Sequence, residues 1–149
     1  MYLKNFSRVF AFLALLSISG LSGTVFAQFD MDLDGDTDAD DRDLLCMVIS
    51  SGFKPPVVPW MDLDGDGDFT PGDMEVWNQG YSDMKGWAHP VSCADANLDG
   101  AVDTSDFNIW NNNKFTNANE KSRGDFNCDG VCDVADYNVW NGAKFTVQR

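Results

Sequence analysis

Residues 95–116, DANLDGAVDTSDFNIWNNNKFT, and residues 125–146, DFNCDGVCDVADYNVWNGAKFT, decide the fold of this 149-residue chain. The two stretches are identical at twelve of their 22 positions, and in both of them acidic or amide side chains alternate around a glycine before an apolar run begins. Looser copies begin at Asp30 and Asp62, so that the four starts are separated by 32, 33 and 30 residues. Such a spacing is typical of tandem repeats of one small unit.

The alternating side chains carry the oxygen ligands that calcium prefers. A calcium loop of the EF-hand type has side-chain oxygens at positions 1, 3 and 5, glycine at 6, a main-chain carbonyl at 7, a residue that holds a water at 9 and an acidic residue at 12. Each copy fits this pattern, which predicts about four bound Ca²⁺ ions. The predicted ligand residues are Asp30, Asp32, Asp34, Asp36, Asp38 and Asp41; Asp62, Asp64, Asp66, Asp68, Thr70 and Asp73; Asp95, Asn97, Asp99, Ala101, Asp103 and Asp106; and Asp125, Asn127, Asp129, Val131, Asp133 and Asp136.

The first loop can be counted from two starts. Counting from Asp30 places Gly35 at position 6, whereas counting from Asp32 matches the MDLDGD of the second loop but places Thr37 there. Position 6 requires a positive φ, which glycine adopts at the least cost. We therefore predict that the first loop begins at Asp30.

A helix is predicted directly after each loop. Position 9 carries Asp38, Thr70, Asp103 or Asp133, which are favourable N-cap residues. The acid at position 12 then falls three residues later, where a capping box requires it. Pro71 stands in the first turn of the second helix, where proline is tolerated. One carboxylate can therefore ligate calcium and stabilise the start of a helix.

Large apolar residues follow each loop at helical spacing, and they include Trp77, Trp110 and Trp140. Exposed tryptophans could stack on sugars, but we interpret these as one stripe of each helix buried in a small core. The phenylalanine of each Lys-Phe-Thr segment, residues 114–116 and 144–146, is predicted to pack on the neighbouring unit.

The fold class predicted from these patterns is mainly α: four tandem calcium loop–helix units with little or no β structure. Residues 28–92 are expected to form a first pair of units and residues 93–149 a second pair. Connectors rich in proline, glycine and tryptophan separate the units. The sequence does not say whether the pairs are separate lobes or one continuous array.

Residues 1–27 have the features of a secretory signal peptide. Lys4 and Arg8 precede a short apolar stretch, and Val-Phe-Ala ending at Ala27 is a small-x-small cleavage signal. A retained N-terminal helix is the alternative. We therefore expect the protein to be secreted, to the extracellular space or the cell surface.

The charge of the chain excludes several classes of function. The formal net charge is −14, and without residues 1–27 it becomes −16, from 8 basic and 24 acidic residues. Such a chain repels nucleic acid and anionic membranes.

The single histidine, His89, lies beside Pro90 in a connector, and no nucleophile elbow, phosphate loop or zinc spacing is present. We therefore predict that the protein is not an enzyme.

Four cysteines in an exported chain predict two disulfides. Cys128 and Cys132 lie within one loop and are close enough to bridge locally, which would leave Cys46 to pair with Cys93. This pairing is favoured, although the two other connectivities, free thiols and intermolecular bridges remain open.

The repeat resembles the type I dockerin module, in which two calcium loops are each followed by one helix. The shared motif is DxNxDGxΦDxxDΦxxΦ, where Φ is apolar. Residues 95–149 follow it closely and residues 30–81 more loosely. The resemblance implies calcium-dependent folding and attachment to a cohesin-like partner.

Two functions are consistent with these features. The first is a calcium-binding module that attaches to another extracellular protein. The second is a structural subunit that assembles with copies of itself into a fibre or surface layer, because an unpaired terminal unit would need a neighbour to cover its helix.

Overall fold

In the part of the chain that the structure describes, four helices form the framework, and each is preceded by one of the acidic loops. The computed structural model describes residues 28–54 and 58–149; the predicted signal peptide lies outside them. The helices are α1 (Ala39–Ser51), α2 (Pro71–Lys85), α3 (Thr104–Asn113) and α4 (Val134–Ala143), with short 3₁₀ turns at Pro59–Met61 and Lys121–Arg123.

The prediction of a mainly α fold is confirmed for the described ranges. Their only β pairings are two isolated antiparallel bridges, Ala101 with Val147 and Thr116 with Cys132. None of the helices in this part of the chain combines the length and apolar composition needed to cross a bilayer.

All four helices begin as the sequence predicts. The N-cap residues are Asp38, Thr70, Asp103 and Asp133, and each forms a complete capping box with the aspartate three residues later. A capping box satisfies two backbone N–H groups at the helix start, which otherwise have no partner within the helix.

The first core lies between α1 and α2. Leu45 and Trp77 are fully buried there, and Tyr81 stacks on Trp77 with 5.0 Å between ring centroids. The indole Nε1 of Trp77 donates to the carbonyl of Phe29 at 3.0 Å. The polar end of a buried tryptophan is thus satisfied, and the segment before the first loop is held against α2.

The second core lies between α3 and α4 and consists mainly of four aromatic rings. Phe107, Trp110, Tyr137 and Trp140 pack with centroid distances between 5.0 and 5.9 Å. Each indole donates to the N-cap carbonyl of the other unit, Trp110 to Asp133 at 2.7 Å and Trp140 to Asp103 at 2.9 Å. The interpretation of the tryptophans as core residues is confirmed.

Reciprocal backbone hydrogen bonds also join the third and fourth units. The N–H of Val102 donates to Thr146 at 2.9 Å, and the N–H of Cys132 donates to Thr116 at 3.0 Å. The chain leaving each helix is therefore paired with the loop of the other unit, so the two units are related by an approximate twofold exchange.

The prediction that the Lys-Phe-Thr phenylalanines pack on the neighbouring unit is wrong. Phe115 and Phe145 are 71% and 74% exposed. Their backbones make the contact instead, because Phe115 donates to the carbonyl of Cys132 and Phe145 to that of Val102, both at 2.6 Å. With φ values of 65° and 67°, the rings are directed to solvent.

Helix α1 joins the two pairs of units. Arg42 is fully buried, and its guanidinium donates to the carbonyl of Asp95 at 2.6 Å and to that of Ala96 at 2.9 Å. The next residue, Asp43, accepts a hydrogen bond from the N–H of Ser122 at 3.0 Å. The question left open by the sequence is answered: the first unit packs directly on the second pair.

The predicted disulfide pairing is wrong. Cys46 is bonded to Cys128, with 5.2 Å between their Cα atoms, and Cys93 and Cys132 are free thiols. Cys132 is buried on the other side of its loop, with its Sγ 3.7 Å from the carbonyl of Trp110. The contact between α1 and the fourth loop brings Cys46 to Cys128, and this tertiary contact outweighs the short sequence separation of Cys128 and Cys132.

Disulfide mapping tests this connectivity. Digestion of the unreduced protein followed by mass spectrometry should yield one cross-linked peptide pair that contains Cys46 and Cys128. Cys93 should be alkylated without reduction, and Cys132 should react after unfolding because it is buried. A peptide in which Cys46 is joined to Cys93 would contradict the packing of α1 described above.

Two glycine substitutions test the packing of the first core. A Cβ at Gly80, within α2, would lie 2.0 Å from the ring of buried Phe29, whereas a Cβ at Gly142 in α4 meets nothing within 4 Å. Gly80→Ala should destabilise the protein by about 1–3 kcal/mol, because the ring must leave its place. Gly142→Ala should stabilise it by about 0.5–1 kcal/mol through helix propensity. Thermal unfolding measures the stability of both variants, and equal changes in their melting temperatures would refute the close packing of the Phe29 ring on Gly80.

Candidate metal centre

The carboxylate at position 12 closes every loop. Asp41, Asp73, Asp106 and Asp136 are all essentially buried. One oxygen of each accepts the N–H of position 2, at 2.5, 2.6, 2.8 and 2.8 Å. The other accepts the N–H of the N-cap residue at position 9, at 2.7 or 2.8 Å. One side chain therefore ties the start of the loop to its end and also caps the helix that follows.

The aspartate at position 1 accepts a hydrogen bond from the glycine at position 6. The distances are 3.0 Å for Asp30 and 2.9 to 3.1 Å for the other three loops. In the first loop the donor is Gly35, whose φ is 106°. The hydrogen bonds of the first loop therefore follow the register that begins at Asp30, as predicted, and not the one that begins at Asp32.

The side chains at positions 3 and 5 curl the loop further. Each accepts the N–H two residues ahead of it, as Asp64 does from Asp66 at 3.0 Å and Asp66 does from Asp68 at 2.8 Å. The same turns recur in the other loops, at Asp32 and Asp34, at Asn97 and Asp99, and at Asn127 and Asp129. These turns hold the oxygens of alternate residues on the inner side of the loop.

Carboxylate oxygens from both ends of the first two loops lie close together. Oxygens of Asp30, Asp32 and Asp41 lie within 4.8 Å of one another, and so do those of Asp62, Asp64 and Asp73. Position 3 of the third and fourth loops is an asparagine, so an amide oxygen stands where these loops have a carboxylate. In the first two loops the structure thus brings the predicted ligands of positions 1, 3 and 12 to one place.

Positions 7 and 9 are less uniform. Asp38, Asp103 and Asp133 each use one oxygen to cap a helix, and Thr70 uses its hydroxyl. The predicted carbonyl ligands at position 7 belong to Asp36, Asp68, Ala101 and Val131. The Asp68 side chain is paired with Lys54, which leaves the main-chain carbonyl of Asp68 as the predicted ligand. The oxygens of Asp36 and Asp38 form a further group with Asp41.

Sequence reasoning missed the conformation of position 4. Leu33, Leu98 and Cys128 have φ values of 65°, 55° and 58°, a region that side chains other than glycine, asparagine and aspartate seldom adopt. Gly65 occupies the same position in the second loop with φ 74°. That glycine was the one signal in the sequence that position 4, like position 6, adopts a left-handed backbone conformation.

The buried carboxylates are held in an environment that disfavours their charge. Burial raises the pKa of Asp95 to about 6, although the hydrogen bond from Gly100 opposes this. Burial likewise raises the pKa of Asp125 to about 6, against the hydrogen bond from Gly130, and the charge of Asp136 adds to the effect. At neutral pH the third and fourth loops therefore confine negative charges that water solvates poorly.

The donor atoms of the loops fit a hard divalent cation. All of the converging side-chain atoms are carboxylate or amide oxygens, which suit Ca²⁺, and thiolate or imidazole ligands that favour zinc are not among them. In the second loop the Oδ1 atom of Asp62 is buried and has no hydrogen-bond partner. A buried anionic oxygen without a partner is costly, and a bound cation would satisfy it.

The pH dependence of the chelated protein follows from these carboxylates. The pKa of about 6 that Asp95 and Asp125 have in the folded protein lies above the value of about 4 expected in the unfolded chain. The folded state therefore binds protons more tightly. In chelator, the folded fraction, measured by circular dichroism, should therefore rise as the pH falls from 7.5 through 6 to 5. With calcium in excess this rise should vanish or reverse, because protons compete with the ion. A chelated protein that loses stability over the same range would contradict the burial of these charges.

Comparisons of the chain with protein-family models, with curated proteins and with solved structures found no match. What the loops can bind follows from their own donor atoms. In all four, the same hydrogen bonds join positions 1 and 6, positions 2 and 12, and positions 9 and 12.

Proposed function

We propose that the protein is a secreted calcium-binding protein whose loop–helix units attach it to another extracellular protein. The observation that carries the calcium part is the buried aspartate at position 12, which is repeated four times with the same two hydrogen bonds. A capping residue alone would sit at an exposed helix start. These four carboxylates are instead buried, and those of Asp41 and Asp73 lie within 4.8 Å of two other carboxylates, an arrangement that a cation would stabilise by offsetting the charge.

Calcium would act through the helices. In the third unit, Asp106 would ligate the ion together with Asp95, Asn97 and Asp99, while its second oxygen keeps the bond to the N–H of Asp103. When the ion leaves, repulsion among these groups opposes both the loop closure and the helix cap. Binding energy at the loop is thus folding energy for the helix behind it.

The proposed ions would serve a constant structural purpose. Extracellular calcium modules bind with dissociation constants of roughly 10⁻⁴ to 10⁻³ M, because calcium is plentiful outside the cell. Residues 28–149 carry a formal charge of −16, and four Ca²⁺ ions would reduce it by about half. The resulting surface would be less repulsive to a protein partner.

Attachment is supported by two exposed patches on the second pair of units. At the end of α3, Phe115 is exposed with a strained positive φ, and neighbouring Lys114 lies over the ring of Trp110 with its Nζ 5.8 Å from the centroid. Phe145 and Lys144 repeat this arrangement on α4, over Trp140. Strained, exposed aromatic residues are typical of recognition sites, so we assign the attachment surface to these two patches.

Self-assembly remains the second candidate. The first pair of units also exposes apolar side chains, at Leu33, Phe53 and Trp60, which could meet a second copy. However, α1 packs on α2 and α3 packs on α4, so no helix of the described residues is left without a neighbour. The expected need for another subunit to cover a terminal helix is thereby removed, and attachment to a different protein is favoured.

Light scattering of the purified mature protein distinguishes the two candidates. An attachment module should remain a monomer in calcium and in chelator, whereas a fibre subunit should form large particles that grow with calcium. Growth of such particles from the pure protein would overturn the attachment proposal.

A ligand substitution tests the calcium sites. Asp106→Ala should reduce the calcium stoichiometry from about four to about three and loosen the start of α3, because it removes both the ligand and half of the capping box. Calorimetric titration gives the stoichiometry and circular dichroism the loss of helix. Glu75→Gln, at an exposed position of α2, removes the same charge and should leave the stoichiometry unchanged. An unchanged stoichiometry in Asp106→Ala would refute the assignment.

A further inference from the structure

One face of α1 contacts the first residues of the third and the fourth loop. Arg42 and Cys46 are one helical turn apart and therefore lie on the same face. The guanidinium of Arg42 binds the carbonyls of Asp95 and Ala96, positions 1 and 2 of the third loop. The Sγ of Cys46 lies 3.8 Å from the carbonyl of Asp125, position 1 of the fourth loop.

The disulfide enters the fourth loop between two predicted ligands. Cys128 stands at position 4, between Asn127 and Asp129, and its φ of 58° is the left-handed conformation that the loop requires. The first and third loops have leucine at this position and the second has glycine. Only the fourth loop is therefore joined covalently to a distant helix at the residue where the chain turns.

Two further contacts hold the start of the fourth loop. The buried Lys121 donates through Nζ to the carbonyl of Phe126 at 2.6 Å. Asp43 of α1 accepts from both the N–H and the hydroxyl of Ser122. Residues 121–128 are thus positioned by α1 and by their own 3₁₀ turn, while the last positions of the loop, 10 to 12, belong to α4.

We propose that the Cys46–Cys128 disulfide positions the fourth loop for calcium, so that the redox state of this disulfide and calcium binding at that loop are thermodynamically linked. This inference rests on the proposed calcium binding. Reduction by an external dithiol such as dithiothreitol transfers two electrons and two protons, converts the disulfide to two thiols and leaves the dithiol as its cyclic disulfide. The fourth loop then loses its covalent attachment to α1 at Cys128.

The linkage has a reciprocal consequence. If oxidation raises the calcium affinity of the fourth loop by some factor, calcium must favour the oxidised form by the same factor. Couplings of this kind are typically 5- to 150-fold. We therefore expect reduction to weaken calcium binding at the fourth loop at least fivefold, and calcium to protect the disulfide from reduction to the same extent.

Calorimetric calcium titrations of the oxidised and the dithiothreitol-treated protein test the inference. Asp129→Asn weakens the fourth loop, and Asp99→Asn weakens the third loop at the equivalent position 5, which makes it a matched control. The difference between the redox states should disappear in Asp129→Asn and persist in Asp99→Asn. Identical isotherms in the two states, or a difference that survives Asp129→Asn, would overturn the inference.

A second measurement decides the matter if the reduced protein loses its fold. The fraction of Cys46–Cys128 that survives in a series of dithiothreitol redox buffers is measured with and without calcium, by thiol labelling and mass spectrometry. Calcium should shift the midpoint toward survival of the disulfide, and Asp129→Asn should abolish most of the shift while Asp99→Asn retains it. Equal calcium effects in the two variants would contradict a specific link to the fourth loop. If no redox state bound calcium, the proposed function itself would fail, which is a different result from calcium binding that ignores the disulfide.

Discussion

The structure depends on one repeated interaction, the hydrogen bonds that the buried carboxylate at position 12 accepts from both ends of its loop. The same two oxygens order a loop and start a helix, so neither element can form well without the other. The arrangement also concentrates negative charge where water has little access. We propose that a divalent ion resolves this conflict, because it would add favourable interactions to the oxygens that the hydrogen bonds have already gathered.

Contacts between units then turn four small repeats into one molecule. Each unit is too small to bury its own helix, and each helix packs on a partner through tryptophan and other apolar residues. Helix α1 adds a second level, since Arg42 and Cys46 connect it to the third and fourth loops. A unit near the start of the chain thereby supports the geometry of loops more than 50 residues away.

The local part of this architecture could be predicted from the sequence, because helix caps and the closing of a loop on its own glycine depend on spacing. The register at Asp30 and the four capping boxes follow from short-range patterns. The rest could not be predicted, because it depends on which surfaces meet. Arg42 occupies a position of the helix stripe where the other units have an apolar residue, and its role requires the carbonyls of another loop. The pairing of Cys46 with Cys128, and the exposure of Phe115, likewise follow from contacts between distant segments.

Calcium titration of the metal-stripped protein at neutral pH, followed by far-ultraviolet circular dichroism, tests the central claim most directly. If the ion is what permits the carboxylates to close the loops, the helical signal should be low in chelator. It should rise as calcium is added and saturate at about four equivalents. A full helical signal in the stripped protein, unchanged by calcium, would contradict this account of how the fold is held together.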